Sequence, residues 1–244
     1  MKRFISAAAA AAMIFLAGCS AKLPDGYDQF VKARETYEKL DSARVTMTDI
    51  DSGEEIMEFS FYINGNGEMV FSYRDNWDGK TQQAYSDGAE FFYKEDGDEK
   101  WTVISSADEN YVYNIYNREY RYPYAEGRIF FLAAESVSDA GVIGSDDGSL
   151  SVTYVYDPDK LNAASIPGIA EEISRFEYLT TKLEVGSDGI VTRFTENAAV
   201  ETASGEKLSL NMRIDVTEAN QISDIPNPVD DIWKPGEKPS AEAE

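Results

Sequence analysis

The chain contains no histidine and only one cysteine, Cys19, among its 244 residues. These counts exclude histidine-dependent triads, histidine general bases and histidine-ligated zinc, and they also exclude an intrachain disulfide or a multi-cysteine metal site. Carboxylates, tyrosine, serine, threonine and lysine are left for chemistry. We therefore expect a noncatalytic protein without a cofactor or a bound metal.

Two residue patterns could still support catalysis. Ser204 and Lys207 have the Ser-x-x-Lys spacing of some acyl enzymes, but they lie in a predicted hairpin turn, whereas the catalytic version needs the start of a helix. Paired carboxylates could serve a hydrolase of envelope polymers, yet with 45 acidic residues the sequence selects no particular pair. Acidic clusters such as residues 96–99 lack the spacing of a calcium loop and are typical of solvated turns.

The net charge of -23 restricts the partners of the protein. A nucleic-acid phosphate backbone or an anionic bilayer surface would repel such a chain, so we expect no nucleic-acid binding. Any association with a membrane must then be covalent or hydrophobic.

The amino terminus has the pattern of an export signal. Lys2 and Arg3 precede an apolar run over residues 4–16, which is too short to span a bilayer comfortably but fits the h-region of a secretory signal peptide. The run leads into LAGC, residues 16–19, which resembles the cleavage motif of bacterial lipoproteins. The resemblance implies a signal peptide over residues 1–18 and a mature chain that starts at Cys19 with a diacylglyceryl group on its sulfur.

This anchor would place the protein on the extracytoplasmic face of a bacterial membrane, either the cell membrane or an outer membrane. Two acyl chains of the palmitate type hold a soluble domain where a single chain would be marginal. Residues 19–26 would form the lipidated terminus and a short linker, of which the seven residues after Cys19 reach at most about 25 Å. The alternative is an ordinary signal peptide with an incidental cysteine.

Behind the linker, hydrophobic periodicity predicts one helix and then a long antiparallel sheet. Apolar residues from Tyr27 to Leu40 fall near helical spacing, with Asp25 as a candidate N-cap. The period then changes to two, most clearly over residues 57–63 and 208–217, which predicts strands with one buried and one solvated face. Turn signals at hairpin intervals bring the count to about eleven strands.

The predicted sheet is interrupted once, over residues 106–136. The apolar run at residues 129–134 suits a short helix that is buried on every side, and such a helix needs a concave apolar surface to enter. The domain is predicted to cover residues 27–232, and the acidic tail over 233–244 lacks periodicity and is predicted to be disordered.

This order of elements resembles the LolA/LolB/LppX superfamily of lipoprotein carriers over roughly residues 27–220. The stretches that carry the resemblance are YEKLDSARVTM, AYSDGAEFFYKEDGDEKW and LEVGSDGIVTRFTENAAVETASGEKLSLNMRIDVTEANQISDIP. The resemblance implies a mainly β (α+β) fold in which a single curved antiparallel sheet forms an unclosed half-barrel, with helices in or over its concave face. It also implies a cavity for acyl chains, although no ligand residue of the family can be transferred position by position.

The predicted ligand site combines strand residues with the inserted segment. Six tyrosines between residues 111 and 124 suit a ligand mouth or a membrane-facing surface, since tyrosine has an apolar body and a polar tip. The alternative is ordinary packing of this tract against the rim of the sheet. The residues expected to contact a hydrophobic ligand are Phe59, Phe61, Tyr113, Tyr116, Phe130, Phe131, Leu132 and Met212.

Two functions from different classes fit these observations. The first is a membrane-anchored, noncatalytic lipoprotein that binds a lipid or another hydrophobic ligand in the concave face. The second is an envelope-sensing or protein-interaction module that uses the same scaffold to bind an envelope protein without a ligand. A hydrolase acting through carboxylates is a third and weaker hypothesis, since a fold alone assigns no chemistry.

Overall fold

The computed structural model of the protein describes residues 23–77, 79–104, 132–161 and 173–233. These ranges contain one α-helix, eleven strands and a single 3-10 turn at Ala134–Ser136. The helix is α1 (Tyr27–Tyr37), and the strands are β1 (Ser42–Asp49), β2 (Glu55–Ile63), β3 (Met69–Trp77), β4 (Lys80–Ser86), β5 (Phe91–Lys94), β6 (Thr102–Ile104), β7 (Val137–Gly144), β8 (Leu150–Tyr156), β9 (Ile173–Val185), β10 (Val191–Thr202) and β11 (Lys207–Thr217).

All eleven strands belong to one antiparallel sheet in the order β6-β5-β4-β3-β2-β1-β11-β10-β9-β8-β7. Consecutive strands pair within β1–β6 and within β7–β11, and β1 also pairs with β11, which joins these two halves in one sheet. β6 and β7 lie at opposite edges and do not pair, so the sheet does not close on itself. The predicted mainly β, unclosed half-barrel of about eleven strands with an N-terminal helix is confirmed.

Alternate side chains of the strands collect on one face of the sheet, which we call the concave face. Val45 of β1 lies opposite Phe59 of β2 and Val216 of β11. Leu183 of β9 lies opposite Phe194 of β10 on the same face. All five side chains are buried in the main hydrophobic core together with α1. On β1, β10 and β11 the opposite, convex face carries mostly polar residues, whereas on β3, β4 and β5 it carries Val70, Tyr85 and Phe92.

The helix covers this concave face with one side only. Phe30, Ala33 and Tyr37, which are three and four residues apart, are all buried in the main core. The Phe30 ring meets the ring of Tyr154 on β8 edge-on, with 5.8 Å between the ring centroids. Within the described ranges, no helix is long and apolar enough to cross a bilayer.

The helix α1 begins at Tyr27 as predicted, but its N-cap differs from the prediction and it ends three residues before the predicted Leu40. Its N-cap is Gly26 rather than Asp25, and no side chain caps the first turn. Gly26 has a φ of 79°, a left-handed conformation that glycine adopts at little cost. The helix ends at Tyr37, and a turn follows in which the Leu40 amide donates to the Tyr37 carbonyl at 3.0 Å. This turn buries Leu40 without extending the helix.

Several predicted segments lie mostly outside the described residues. These include the signal peptide, Cys19 and the inserted segment before Leu132. Of the predicted tail, the structure describes only Trp233, whose amide donates to the Trp101 carbonyl at 2.9 Å.

After β11 the chain crosses the convex face of the sheet. We call residues 218–233 the strap. The Asn220 amide donates to the Ser42 carbonyl at 2.8 Å, and further along, Trp101 and Ile232 form a parallel bridge. Ile225 is buried in a second hydrophobic cluster with Val70, Tyr85, Phe92 and Trp101.

The strap changes the environment of the strands beneath it. On β2 the structure differs from the predicted solvated face, because Ser60 is buried and Tyr62 packs partly against the second cluster. Strands β2 to β5 are therefore covered on both faces in part. The second cluster stabilises the pairing of β3, β4 and β5 by packing against their convex face, since a hairpin without a covering layer is only marginally stable.

We expect Ile225→Ala to lower the free energy of unfolding by about 2 kcal/mol, because the substitution leaves a cavity between the strap and the sheet. Ile232→Ala is the matched control. Its side chain is 38% exposed, so the loss should stay below about 1 kcal/mol. Urea denaturation followed by tryptophan fluorescence measures both values, and equal losses would contradict the packing role of the strap.

Candidate ligand-binding face

Four phenylalanines form an aromatic floor on the concave face between β2 and β5. Phe59 and Phe61 stack with 5.5 Å between ring centroids, Phe59 and Phe71 are 5.7 Å apart, and Phe71 and Phe91 are 5.9 Å apart. Aromatic pairs at such distances contribute about 0.5–1.5 kcal/mol each beyond the area that they bury. Floor residues are at most 2% exposed, so they lie beneath other parts of the chain.

Strand register places these rings together. Phe61 lies directly opposite Phe71, and Phe71 lies opposite Ser86, which in turn faces Phe91. Because the small Ser86 separates the two outer rings, Phe71 and Phe91 can approach across it. Direct and diagonal neighbours of this kind are the contacts that stabilise an antiparallel sheet.

The floor has a polar boundary along β3. The Tyr73 hydroxyl donates to Oδ2 of Asp75, and both residues are buried. Oδ1 of Asp75 has no hydrogen-bond partner among the residues that the structure describes. Leaving a buried polar atom unpaired costs about 1–3 kcal/mol, so this end of the floor favours a group that can donate a hydrogen bond.

A second polar group lies on the concave face of the C-terminal half. Tyr154 of β8, Thr181 of β9 and Glu196 of β10 occupy directly opposed positions, and all three are buried. Tyr156 joins them through its hydroxyl, which lies 3.3 Å from the Thr181 hydroxyl. We call these four residues the polar row.

Burial keeps the tyrosines of the polar row protonated. It raises the pKa of Tyr154 to about 12, with a smaller contribution from the nearby Tyr27. It also raises the pKa of Tyr156, against the lowering effect of the hydrogen bond with Thr181. Both hydroxyls are therefore neutral at physiological pH and can donate as well as accept. The Tyr154 hydroxyl has no hydrogen-bond partner within the described ranges.

A crevice of about 300 Å³ opens beside α1. Ala33 and Lys32 line it from the helix, and Leu150, Val185 and the turn at residues 186–189 line it from the sheet. This volume lies at the lower end of the range for small-molecule sites, which starts at roughly 300 Å³. The crevice thus lies between one side of α1 and the β8–β9 part of the sheet.

Three of the predicted ligand residues share the concave face. Phe59 and Phe61 belong to the aromatic floor, and Met212 lies opposite Glu196 of the polar row. Leu132 is partly buried and packs against the main core. Tyr113, Tyr116, Phe130 and Phe131 lie outside the described residues, as does the predicted attachment point Cys19, so their place relative to this face stays a prediction.

The face also contains residues that the prediction omitted. Phe71 and Phe91 extend the floor, and Tyr154 and Glu196 are two of the four residues of the polar row. A signal for Glu196 was present in the alternation of β10, where Phe194 and Ala198 point to the same face. The acidic side chain of Glu196, taken alone, predicts the solvated face, but the alternation along β10 correctly places it on the concave face.

The residues considered for catalysis have other contacts. The Ser204 hydroxyl lies 2.8 Å from the Thr202 hydroxyl inside the turn. Lys207 Nζ lies 2.5 Å from Glu177 Oε1 on β9. The two side chains of the Ser-x-x-Lys pattern are thus directed to different partners. No group of three or more cysteine, aspartate and glutamate side chains with metal-binding geometry occurs in residues 23–77, 79–104, 132–161 and 173–233.

Comparisons with known proteins give likenesses of structure only. No family model and no curated protein sequence matches the chain. LprF from Mycobacterium bovis is 13% identical, with a TM-score of 0.46, over 85% of this chain and 100% of LprF. MucB is 14% identical, with a TM-score of 0.29, over 89% of this chain and 64% of MucB.

MucB in complex with MucA(peri) gives a similar result, 13% identity and a TM-score of 0.28 over 79% of this chain. The chain spans only 54–64% of the MucB chains. At these identities and TM-scores, function has to be argued from the residues of this chain. The fold and the site define a class of protein, a single open antiparallel sheet with a covered aromatic face.

We expect Tyr154→Phe to leave the free energy of unfolding at pH 7 unchanged or to raise it by about 1 kcal/mol, because it removes a buried hydroxyl that has no partner among the described residues. Tyr156→Phe is the matched control, because Tyr156 lies two residues further along β8 on the same face. It breaks the contact with Thr181 and should cost about 1 kcal/mol. Urea denaturation of both variants measures the difference, and a cost for Tyr154→Phe as large as that for Tyr156→Phe would contradict this assignment.

Proposed function

We propose that this protein is a noncatalytic, membrane-anchored extracytoplasmic lipoprotein that binds a lipid or another hydrophobic ligand on its concave face. The observation that carries the proposal is the aromatic floor of four phenylalanines on the inner side of a sheet that does not close. The resemblance of the sequence to lipoprotein carriers agrees with this assignment.

The floor has the chemistry that an acyl chain requires. Its rings present a continuous apolar surface, and burying each methylene of a ligand against such a surface contributes about 0.8 kcal/mol. An acyl chain that packs on the floor keeps these rings in apolar contact and out of water. The net cost of exchange is small compared with exposing the floor to water.

The unclosed sheet favours exchange as well. In a closed barrel a ligand must pass through an end, whereas here the concave face is bounded by separate covering elements such as α1. Moving a covering element leaves the ladder hydrogen bonds of the sheet intact. The fold therefore allows access without breaking backbone pairing.

Anchoring is proposed on the sequence motif and on where the linker meets the domain. A side chain at Gly26 would come within 2.7 Å of Val142 and Val152, so the linker joins the domain at the β7–β8 end of the sheet. Residues 20–26 are short enough to keep this end within about 25 Å of a lipid on Cys19. The binding face would then lie close to the source of its ligand.

A second candidate function, a protein-interaction module without a ligand, has its own support. Phe59, Phe61 and Phe71 are 0% exposed, which is what a permanently filled core requires. A binding experiment with a blocked face separates the two functions.

We expect the purified protein to bind cis-parinaric acid, a fluorescent fatty acid, and Ala43→Leu to weaken the binding at least fivefold. Ala43 lies directly opposite Phe61 on the concave face, so the larger side chain removes space beside the aromatic floor. Overpacking costs about 1–3 kcal/mol, and circular dichroism and urea denaturation must establish that the variant is folded.

Ala199→Leu is the control for this experiment, because Ala199 pairs with Ser209 and Tyr178 on the convex face. Its affinity for the fatty acid should equal that of the unaltered protein. Binding that survives Ala43→Leu, or no binding by any variant, would favour the interaction module.

The anchor has a separate test in cells. We expect the unaltered protein in the membrane fraction, released by nonionic detergent but not by high salt, and Cys19→Ser in the soluble extracytoplasmic fraction. Cys19→Ser removes the thiol that would be acylated and changes nothing in the described domain. Mass spectrometry of the mature amino terminus identifies the added acyl groups, and a membrane-bound Cys19→Ser protein would contradict lipid attachment at this residue.

A further inference from the structure

The two edge strands of the sheet, β6 and β7, differ in length and in how far other residues cover them. At one edge β6 has only three residues, and the strap covers its start, where the Trp101 amide donates to the Asp231 carbonyl at 2.9 Å. At the other edge β7 has eight residues, and most of them are exposed. Val142 and Ile143 are 42% and 71% exposed. Among the residues that the structure describes, the strap thus caps one edge, and no segment covers the other.

β7 also lacks the usual protection of an edge strand. Natural sheets discourage pairing at an edge with lysine, proline, bulges or a covering segment. β7 contains no lysine, arginine or proline, and its only charged residue is Asp139. Its bulge lies at the start, between Val137 and Asp139, and from Ala140 to the end of the strand the register with β8 is regular.

The charge around this edge is one-sided. Residues 132–161, which contain β7 and β8, have six carboxylates and a single basic residue, Lys160. Asp139 on the strand and Asp146 and Asp147 in the following turn flank the open part of the edge. The carboxylates near this edge would therefore attract a pairing strand that carries positive charge.

The same charges argue against two other occupants. A second copy of the chain would bring an identical acidic strand to this edge and would add its own net charge of -23. The Ala140 amide donates to Asp139 Oδ1 at 2.9 Å. A lipid bilayer would leave the other outward-facing N–H and C=O groups of β7 without hydrogen-bond partners, which costs several kcal/mol for each group. An extended basic peptide satisfies both the backbone groups and the charge.

We propose that β7 accepts an extended, basic segment of a partner protein as a twelfth, edge-paired strand. Backbone hydrogen bonds to β7 would supply affinity, and alternate side chains of the segment would contact Ile143 and the flanking carboxylates. This interaction surface is separate from the concave face and does not depend on the proposed lipid binding.

The probe for the test is a capped eight-residue peptide of alternating lysine and valine, added to the full-length protein in nonionic detergent. Hydrogen exchange followed by mass spectrometry should report slower exchange at residues 138–144 and no change at residues 102–104. A peptide of the same charge with two of its valines replaced by proline cannot pair as a strand and should give no protection. Protection by the proline peptide would mean non-specific attraction to an acidic protein and would overturn the proposal.

Ile143→Lys and Ile143→Glu form a matched pair of variants. Both remove the same exposed apolar side chain, which should leave the fold intact, but they change the charge of the edge in opposite directions. We expect Ile143→Lys to weaken peptide binding about tenfold relative to Ile143→Glu, as measured by fluorescence anisotropy. Equal affinities would overturn the proposal, as would a dimer of the protein alone, seen by analytical ultracentrifugation, that Ile143→Lys dissociates.

Discussion

The burial of the concave face is the constraint on which the rest of the structure depends. A closed barrel hides its inner face by its own curvature, but a sheet whose edges do not meet must cover that face with other parts of the chain. Here α1 covers the C-terminal half through Phe30, Ala33 and Tyr37. Aromatic side chains fill the N-terminal half and pack against one another. The elements that cover the face therefore determine whether it is accessible to solvent or to a ligand.

The pairing of β1 with β11 holds the two halves in one sheet. These strands are the first and the last of the meander, so their register, with Val45 opposite Val216, closes the longest loop in the domain. Such distant pairing is costly in chain entropy and is formed late unless it is reinforced. The strap begins directly after β11 and fastens to Ser42 at the start of β1, which reinforces this pairing from the convex side.

Much of the sheet could be predicted because alternation is a direct consequence of strand geometry. Phe59, Phe61 and Met212 were identified from alternating apolar residues, and they do face the same way. The strap was not predicted, because Ile222, Ile225 and Val229 lie in an extended stretch with two prolines that has neither the strand period nor the helix period. Its cover depends on the shape of a surface that forms only after the sheet has folded. The position of β7 at an edge of the sheet could likewise not be predicted from the sequence, since strand order is a property of the whole sheet.

If the concave face admits a ligand as proposed, the distribution of its polar groups favours one side for entry. Exposing the aromatic floor to water would cost the full hydrophobic contribution of four phenylalanines, about 1.5–3 kcal/mol each. Uncovering the polar row would expose Phe30 and Tyr37 of α1, but water would supply the Tyr154 hydroxyl with a partner that no described residue provides, which offsets part of that cost. The cover over the row is α1, which meets it through the Phe30–Tyr154 contact, and the crevice at Ala33 already separates part of this helix from the sheet. For the ligand proposed above, entry beside α1 is therefore the path on which polar groups of the concave face offset part of the cost of exposing apolar surface.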